Sequence, residues 1–389
     1  MMHQAEWLAA PFTKAVVAAL GAENIKFVGG AVRDTLLGLG VADIDAATPL
    51  KPAETMALLN AANIKVIPTG LKHGTVTAVQ GRQTIEITTL RIDTETDGRH
   101  AEVAFTTDWF EDAKRRDFTF NALYAGPDGD LFDPFEGVAD LKAGVVRFIG
   151  NASDRIEEDA LRILRFYRFF GKYGQGVPNA EAVAACSEKR KMLTRLSVER
   201  VRDELMKIMA QTNPEEVITL MERCGALQEI FGANYSSEKI MAFIANEIQL
   251  NAPVNLFVRL YLLGQPSLDA VAAARKFKLS NEERRFLVRF EKLQSGPHPK
   301  TEKEIHKVVY VYGADAVRAC AVGWDAERYR LTVEVCDSWA VPQLPVQGSD
   351  LLGMGWDAGP KVGKCLKDLE NHWVESDFLL SKTQLLDMI

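Results

Sequence analysis

The chain predicts an α+β protein, a mixed sheet with helices in its first part followed by an all-helical remainder. Three observations carry this expectation. Up to about residue 150, short apolar runs of period two are separated by glycine turns and brief helical patterns. From Ser153 onward the periodicity becomes helical and largely stays so. The length, 389 residues, is too great for one hydrophobic core, so two or more domains are expected.

Taken in order, a first helix is expected over Thr13–Leu20. Strands Ile25–Val28 and Val41–Ala46 then flank a glycine turn and a short helix, AVRDTLL, which Gly38 and Gly40 break. A helix over Ala53–Asn60 precedes strands Ile64–Val66, Gly74–Val79 and Thr84–Leu90. Arg155–Phe169 reads as a long helix ended by the turn cluster Gly171–Pro178, and Ser197 sits where a helix cap belongs. Within the helical half, SGPHPK at Ser295–Lys300 reads as a boundary, and a second glycine cluster runs from Asp350 to Lys364.

Hydrophobic content of 47% with 25% charged residues describes an ordinary globular chain and gives no sign of disorder. The net charge of -7 argues against non-specific coating of nucleic acid. Residues 155–207 nevertheless carry twelve Lys/Arg against eight Asp/Glu, so a polyanion contact should begin there. The start, MMHQAEWLAAPFTK, lacks a basic segment leading into an apolar run, and no stretch reaches about 18 apolar residues. A cytoplasmic protein without a membrane partner is expected. Five scattered cysteines offer neither a disulfide framework nor a zinc spacing.

The chemistry concentrates in Gly29–Thr48, GGAVRDTLLGLGVADIDAAT. Glycines between a strand and a helix let backbone N–H groups approach an anion, and the helix start with Arg33 adds positive charge. In ADIDA, alternation puts Asp43 and Asp45 on one strand face, about 7 Å apart, where they can converge on hard cations. A phosphate turn followed closely by two carboxylates suits a triphosphate with Mg²⁺, which prefers one or two carboxylates completed by substrate oxygens. A DxD also serves glycosyltransferases, and a degenerate copy could serve a noncatalytic RNA-binding module. The intact carboxylates and the Asp159/Arg162 pair weigh against both.

In TIEITTLR, Glu86 shares a face with Thr84 and Thr88, opposite Ile85 and Ile87, and is a candidate third carboxylate or simply a polar residue on a wet face. His73 is isolated and reads as a turn or packing residue. In DAKRRDFTFNAL, Lys114, Arg115 and Arg116 precede an apolar set that should pin at least one guanidinium. A pinned Arg116 beside a triphosphate can neutralise charge on leaving pyrophosphate.

In RIEEDALRILRFYRF, Asp159 and Arg162 are expected as neighbours on one helix, where they could simply pair with each other. Their chemistry also fits a base edge. Adenine and cytosine place an amino donor beside a ring-nitrogen acceptor, whereas guanine and uracil place a carbonyl beside a ring N–H. A carboxylate next to a guanidinium complements the first pair and opposes the second. Arg165 and Arg168 continue at spacing three, which drifts about 60° per step and makes a slanting ridge rather than one stripe.

The ordered set GGAVRDTLLG with DID, RRDFTFNAL, DPFEGVADLKAGVVRFIG, RIEEDALRILRFYRF and LSVERVRDELMKI resembles class II tRNA nucleotidyltransferases, the bacterial CCA-adding enzymes and poly(A) polymerases. These motifs span Phe27 to about Ile208, and QGSDLLGMGWDAGPKVG is similar to the family's tail. The resemblance implies a polymerase-β-like nucleotidyltransferase head over 1–150. It further implies a helical neck over 151–225 with the nucleotide-selecting helix, and a helical body and tail over 226–389 that bind tRNA.

By the same resemblance Asp43 and Asp45 hold Mg²⁺, while Gly29, Gly30, Arg33 and Arg116 hold the triphosphate. Asp159 and Arg162 select ATP and CTP. Arg165 and Arg168 join the nucleotide's surroundings, unless they brace the head against the next helices. The implied reaction is template-independent addition of C, C and A to the tRNA 3′ end. A poly(A) polymerase or an A-only or CC-only enzyme stays open. No RRF-type basic insertion precedes RRD, and the long Leu90–Glu111 segment, resembling the loop region of full CCA-adding enzymes, disfavours a CC-only form. No histidine precedes an aspartate, so an appended HD-type phosphohydrolase domain is not expected.

Overall fold

A computed structural model describes residues 2–96 and 101–389. The chain divides into two compact units, Met1–Ile230 and Phe231–Ile389.

The first unit is built on nine strands: β1 (Lys26–Val28), β2 (Ile44–Thr48), β3 (Lys65–Gly70), β4 (Thr75–Gln80), β5 (Gln83–Thr89), β6 (Arg91–Thr96), β7 (Ala101–Phe105), β8 (Tyr124–Ala125) and β9 (Leu131–Phe132). Seven of them form one mixed sheet in the order β3-β4-β5-β2-β1-β8-β9. The β2–β5 pair is parallel and the other pairs are antiparallel. Phe27, Ala46, Val76, Ile85 and Ile87 from paired strands are buried, each large side chain contributing about 1.5–3 kcal/mol. Proline at the first turn starts the flanking helices Pro11–Leu20 and Pro52–Ala61.

Three local outcomes depart from expectation. First, β2 begins at Ile44 rather than Val41, because pairing with β5 starts at Ile44↔Ile85 and β1 reaches only Ala46 and Ala47. Asp43 therefore lies on the approach to the strand, not on it. Second, Leu90–Glu111 holds a hairpin, β6–β7, with Arg91 opposite Phe105. Residues 97–100, part of the expected loop region, lie outside the described residues. Third, RIEEDALRILRFYRF is two helices, Ala152–Glu158 and Leu161–Tyr173. Asp159 takes an extended backbone (φ -150°, ψ 104°), and its Oδ1 accepts the Leu161 N–H at 3.0 Å. That local bond competes with helix continuation.

The Leu161–Tyr173 helix buries Ile163, Phe166, Phe169, Phe170 and Tyr173. Phe169 meets Phe118 and Phe120 with ring centroids 5.4 and 5.6 Å apart. This aromatic contact joins the RRDFTFNAL segment to the helix.

The second unit is helical among the described residues. Its core includes a buried ion pair, Arg259 Nε to Glu247 Oε2 at 2.6 Å, and the buried rings of Trp324 and Trp373. SGPHPK connects two helices of this same unit, Asn281–Gln294 and Glu302–Tyr312, each opened by or opening on a capping box. All five cysteines are free thiols. No described helix is long and apolar enough to cross a membrane.

Candidate active site

The glycine turn ends β1 with a conformation reserved for glycine: Gly29 has φ +69° and ψ -121°. The chain then enters the Gly30–Leu36 helix, placing Arg33 one turn later. Arg33 is not the mobile cation its position in the sequence implies. It is buried, donates from Nη1 to Asn121 Oδ1 (2.5 Å) and from Nε to Asp34 Oδ1 (3.0 Å), and lies 4.5 Å from the Tyr173 ring centroid. The rings of Tyr173 and Phe169 form an aromatic slot that a desolvated guanidinium favours.

Asn121 continues the connection by donating to Asp117 Oδ1 (2.8 Å), whose Oδ2 accepts from Arg165 Nε at 2.6 Å. The chain Arg33–Asn121–Asp117–Arg165 thus ties the phosphate turn to the Leu161–Tyr173 helix. Arg165 strongly favours ionised Asp117, and the carboxyl sits below its ordinary pKa despite burial. A second tie runs from Tyr173 Oη to Asp34 Oδ1 at 2.8 Å.

Arg116 is held by Tyr124 Oη (2.9 Å to Nε) and by Asp112 Oδ2 (3.0 Å to Nη2). Arg168 forms an ion pair with Glu204 at 2.7 Å, and burial lowers its pKa from the ordinary arginine value against the pull of that carboxylate. A cation held this way gains from an added anion.

Opposite these cations, Asp45 and Glu86 are register partners on the parallel strands β2 and β5. Neighbouring strands lie about 4.8 Å apart, so the two carboxylates share one patch. Burial, then the Glu86 charge, raises the Asp45 pKa; Arg116 opposes them and Asp43 adds to them. Among the described residues no three ligating side chains form a ready-made metal cage. A half-buried carboxylate pressed by two others is a donor set that a divalent cation would relieve.

The expected selector residues line the same cavity but are not paired with each other. Asp159 Oδ2 accepts from Arg200 Nη2 at 2.8 Å. Arg162 donates from Nη1 to Glu158 Oε2 (2.7 Å) and from Nη2 to the Arg115 carbonyl (3.0 Å). The helix break at Asp159 separates the two side chains that an unbroken helix would have stacked.

These groups line one cavity of about 520 Å³. Gly29, Gly30, Arg33, Asp45, Arg116, Asp159, Arg162, Arg165 and Arg168, all expected from the sequence, face it; Asp43 and Glu86 do not. Sequence reasoning missed Arg91, Arg115, Asp117, Asn121 and Arg200 as lining residues. Asp117 and Asn121 had a signal, their i,i+4 spacing inside a motif already under suspicion. Arg200 had none, since its partner is 41 residues away. Eight arginines against three aspartates make the cavity a polyanion site within an acidic protein.

Two family models match the chain, the poly A polymerase head domain over residues 25–147 and the probable RNA and SrmB-binding site of polymerase A over 179–233. The mitochondrial CCA tRNA nucleotidyltransferase 1 of Mus musculus is 36% identical over 385 residues, covering 94% of this chain and 86% of that protein. The CCA-adding enzyme of Lactobacillus gasseri is 31% identical, covering 90% of this chain and 88% of its own length. Among solved structures, the Bacillus stearothermophilus CCA-adding enzyme in complex with CTP superimposes with a TM-score of 0.75 at 25% identity, over 95% of this chain and 94% of that one. Similarity of this extent, carried through head and helical remainder alike, makes the chain a member of the class II CCA-adding tRNA nucleotidyltransferases.

Proposed function

We propose that the protein adds C, C and A to the 3′ end of tRNA from CTP and ATP without a nucleic-acid template, releasing pyrophosphate. The observation that carries this reading is one arginine-rich cavity lined by the glycine turn, Asp45, Asp159 and Arg162 together. The triphosphate sits against the backbone of Gly29 and Gly30 and between Arg33 and Arg116, whose charges offset that of the departing pyrophosphate. Asp159 accepts the exocyclic amino group of C or A, and Arg162 donates to the adjacent ring nitrogen. For Arg162 to do so, its Nη1 leaves Glu158, which keeps Arg155 as a partner. Arg165 and Arg168 add positive potential while bracing the floor through Asp117 and Glu204.

Asp43 and Asp45, with Glu86 as a third carboxylate, would hold Mg²⁺, whose chemistry when bound is activation of the tRNA 3′-hydroxyl and neutralisation of the leaving oxygens. The head of the reading is residues 1–150 and the selecting neck 151–225. Residues 226–389 contact tRNA by shape and phosphate, the way duplex RNA is generally read. The cytoplasm is the proposed compartment, which fractionation of the expressing cell tests.

The deciding assay incubates purified protein with tRNA lacking CCA, Mg²⁺ and each labelled NTP singly and together. Incorporation of two C residues and one A is expected. Long A tails would instead identify a poly(A) polymerase, arrest after CC a CC-adding enzyme, and A incorporation only on a parallel tRNA ending in CC an A-adding one. No C or A incorporation removes the reading.

A further inference from the structure

Asp112 belongs neither to the glycine turn nor to the Asp159/Arg162 pair and does not itself line the cavity, but it binds three residues that do, Arg91, Arg115 and Arg116. It is 1% exposed, on the Trp109–Lys114 helix. Its Oδ1 accepts from Arg115 Nε (2.9 Å), Arg115 Nη2 (2.7 Å) and the Arg91 backbone N–H (3.1 Å). Its Oδ2 accepts from Arg116 Nη2 (3.0 Å) and Tyr124 Oη (2.6 Å), and Tyr124 Oη in turn accepts from Arg116 Nε at 2.9 Å. Burial raises the carboxyl's pKa, but Arg116 and Arg115 outweigh it and bring it to about 2.

The geometry has a direction. Arg116, which lines the cavity, is gripped on Nε and Nη2, which fixes the plane of its guanidinium and leaves Nη1 to donate to a further acceptor. Arg115 is gripped on the same pair of atoms, and its carbonyl is the acceptor that docks Arg162. The Arg91 N–H belongs to the first residue of β6, so the root of the hairpin is registered to the same carboxylate. A buried ionised acceptor with every lone pair used holds its donors far more rigidly than an exposed ion pair would.

We propose that Asp112 is the positioning residue for triphosphate binding, orienting Arg116 and Arg115 toward the polyphosphate and setting the hairpin root in register with them. This rests on the reading of Arg116 as a triphosphate ligand, and the experiment separates the two. Full-length protein is titrated with inorganic tripolyphosphate, which carries the charge of the substrate and no base, without added metal. Arg116→Ala and Asp112→Asn are compared with the parent, together with KM and kcat for CTP, the CTP:UTP ratio and tRNA affinity.

Arg116→Ala is expected to weaken tripolyphosphate about tenfold or more, as loss of one charge-assisted contact does. Asp112→Asn should weaken it comparably, raising KM for CTP more than it lowers kcat, with the CTP:UTP ratio and tRNA affinity kept. Unchanged tripolyphosphate binding in Asp112→Asn alone overturns the inference and leaves the reading of Arg116. Unchanged binding in both overturns both. A parallel loss of tRNA affinity and CTP:UTP discrimination would mark Asp112 as scaffold only and also overturn it. If Asp112→Asn does not fold, Tyr124→Phe decides: it removes one donor to Asp112 and one acceptor for Arg116, so a few-fold loss supports the inference and none overturns it.

Discussion

The side chains proposed to hold the triphosphate, here the phosphate end, and those proposed to read the base, here the base end, are built on opposite principles. At the phosphate end each cation is immobilised by buried partners: Arg33 by Asn121, Asp34 and two aromatic rings, and Arg116 by Asp112 and Tyr124. At the base end Asp159 is held by Arg200, and Arg162 by Glu158 and by the backbone carbonyls of Arg155 and Arg115; the two ion-pair partners are themselves partly open to solvent. Every incoming nucleotide has the same triphosphate, so a rigid, preorganised end loses little on binding and serves both substrates. C and A differ in size and in the placement of the edge to be read. In the proposed reading the ion pairs of Asp159 and Arg162 exchange for either base at low cost, while the Arg115 carbonyl keeps Arg162 in place.

The strongest way to break this contrast is at the carboxylates. Asp45→Asn should lower incorporation by about a thousandfold or more, because loss of metal-assisted stabilisation is worth several kcal/mol. tRNA affinity should be kept. The same substitution should stabilise the metal-free protein. The Asp45 pKa is raised on folding, so the folded state binds the proton more tightly than the unfolded one. Stability is then fully present below the unfolded pKa of about 3.9 and is lost as pH rises through the folded value. Asparagine removes that loss, so the Tm difference between Asp45→Asn and parent should be positive at pH 7 and vanish near pH 4. Added Mg²⁺ should raise the Tm of the parent and not of the variant. A variant with parental activity would end the metal role of Asp45.

A change at the base end should act on selectivity and leave the fold alone. Arg162→Ala frees Glu158, which still pairs with Arg155, so no uncompensated buried charge is created. The expected result is a ten- to hundredfold fall in discrimination of CTP over UTP, the size of about 1–3 kcal/mol per bidentate contact. Binding of tripolyphosphate should be unaltered. If triphosphate binding fell with discrimination, the two ends would be one network and the contrast would be lost.

The same division explains what the sequence made legible. Period-two alternation exposed the strands, and glycine spacing exposed the phosphate turn, because both are properties of consecutive residues. Asp43 escaped its expected strand because pairing, not local propensity, set where β2 begins. The Asp159 break escaped because a helical period survives a two-residue interruption, and the side-chain bond that causes it is invisible to periodicity. Two-residue β8 and β9 are too short to leave a pattern. Asp112 was readable in principle, standing three and four residues before Arg115 and Arg116 on a helix, but only burial distinguishes a hub from a solvated pair. The site's local chemistry was therefore open to reading, whereas the partners that fix or release each side chain come from elements far apart in the chain.

The smallest expected effect, and the finest test of exchangeability, is at Arg200. Its pair with Asp159 has side chains 46% and 32% exposed, so Arg200→Ala should cost under about 1 kcal/mol in stability. Asp159 would retain only the Leu161 N–H on Oδ1, and its Oδ2 would no longer be aimed. A roughly threefold fall in kcat/KM for CTP and ATP alike, with an equal fall in CTP:UTP discrimination, is expected if Arg200 orients the carboxylate while the base binds. A rise in kcat/KM would make Arg200 a competitor of the base for the same oxygen, and the exchange at that end would then be a displacement. Steady-state kinetics with the three nucleotides distinguishes these two kinds of weak contact.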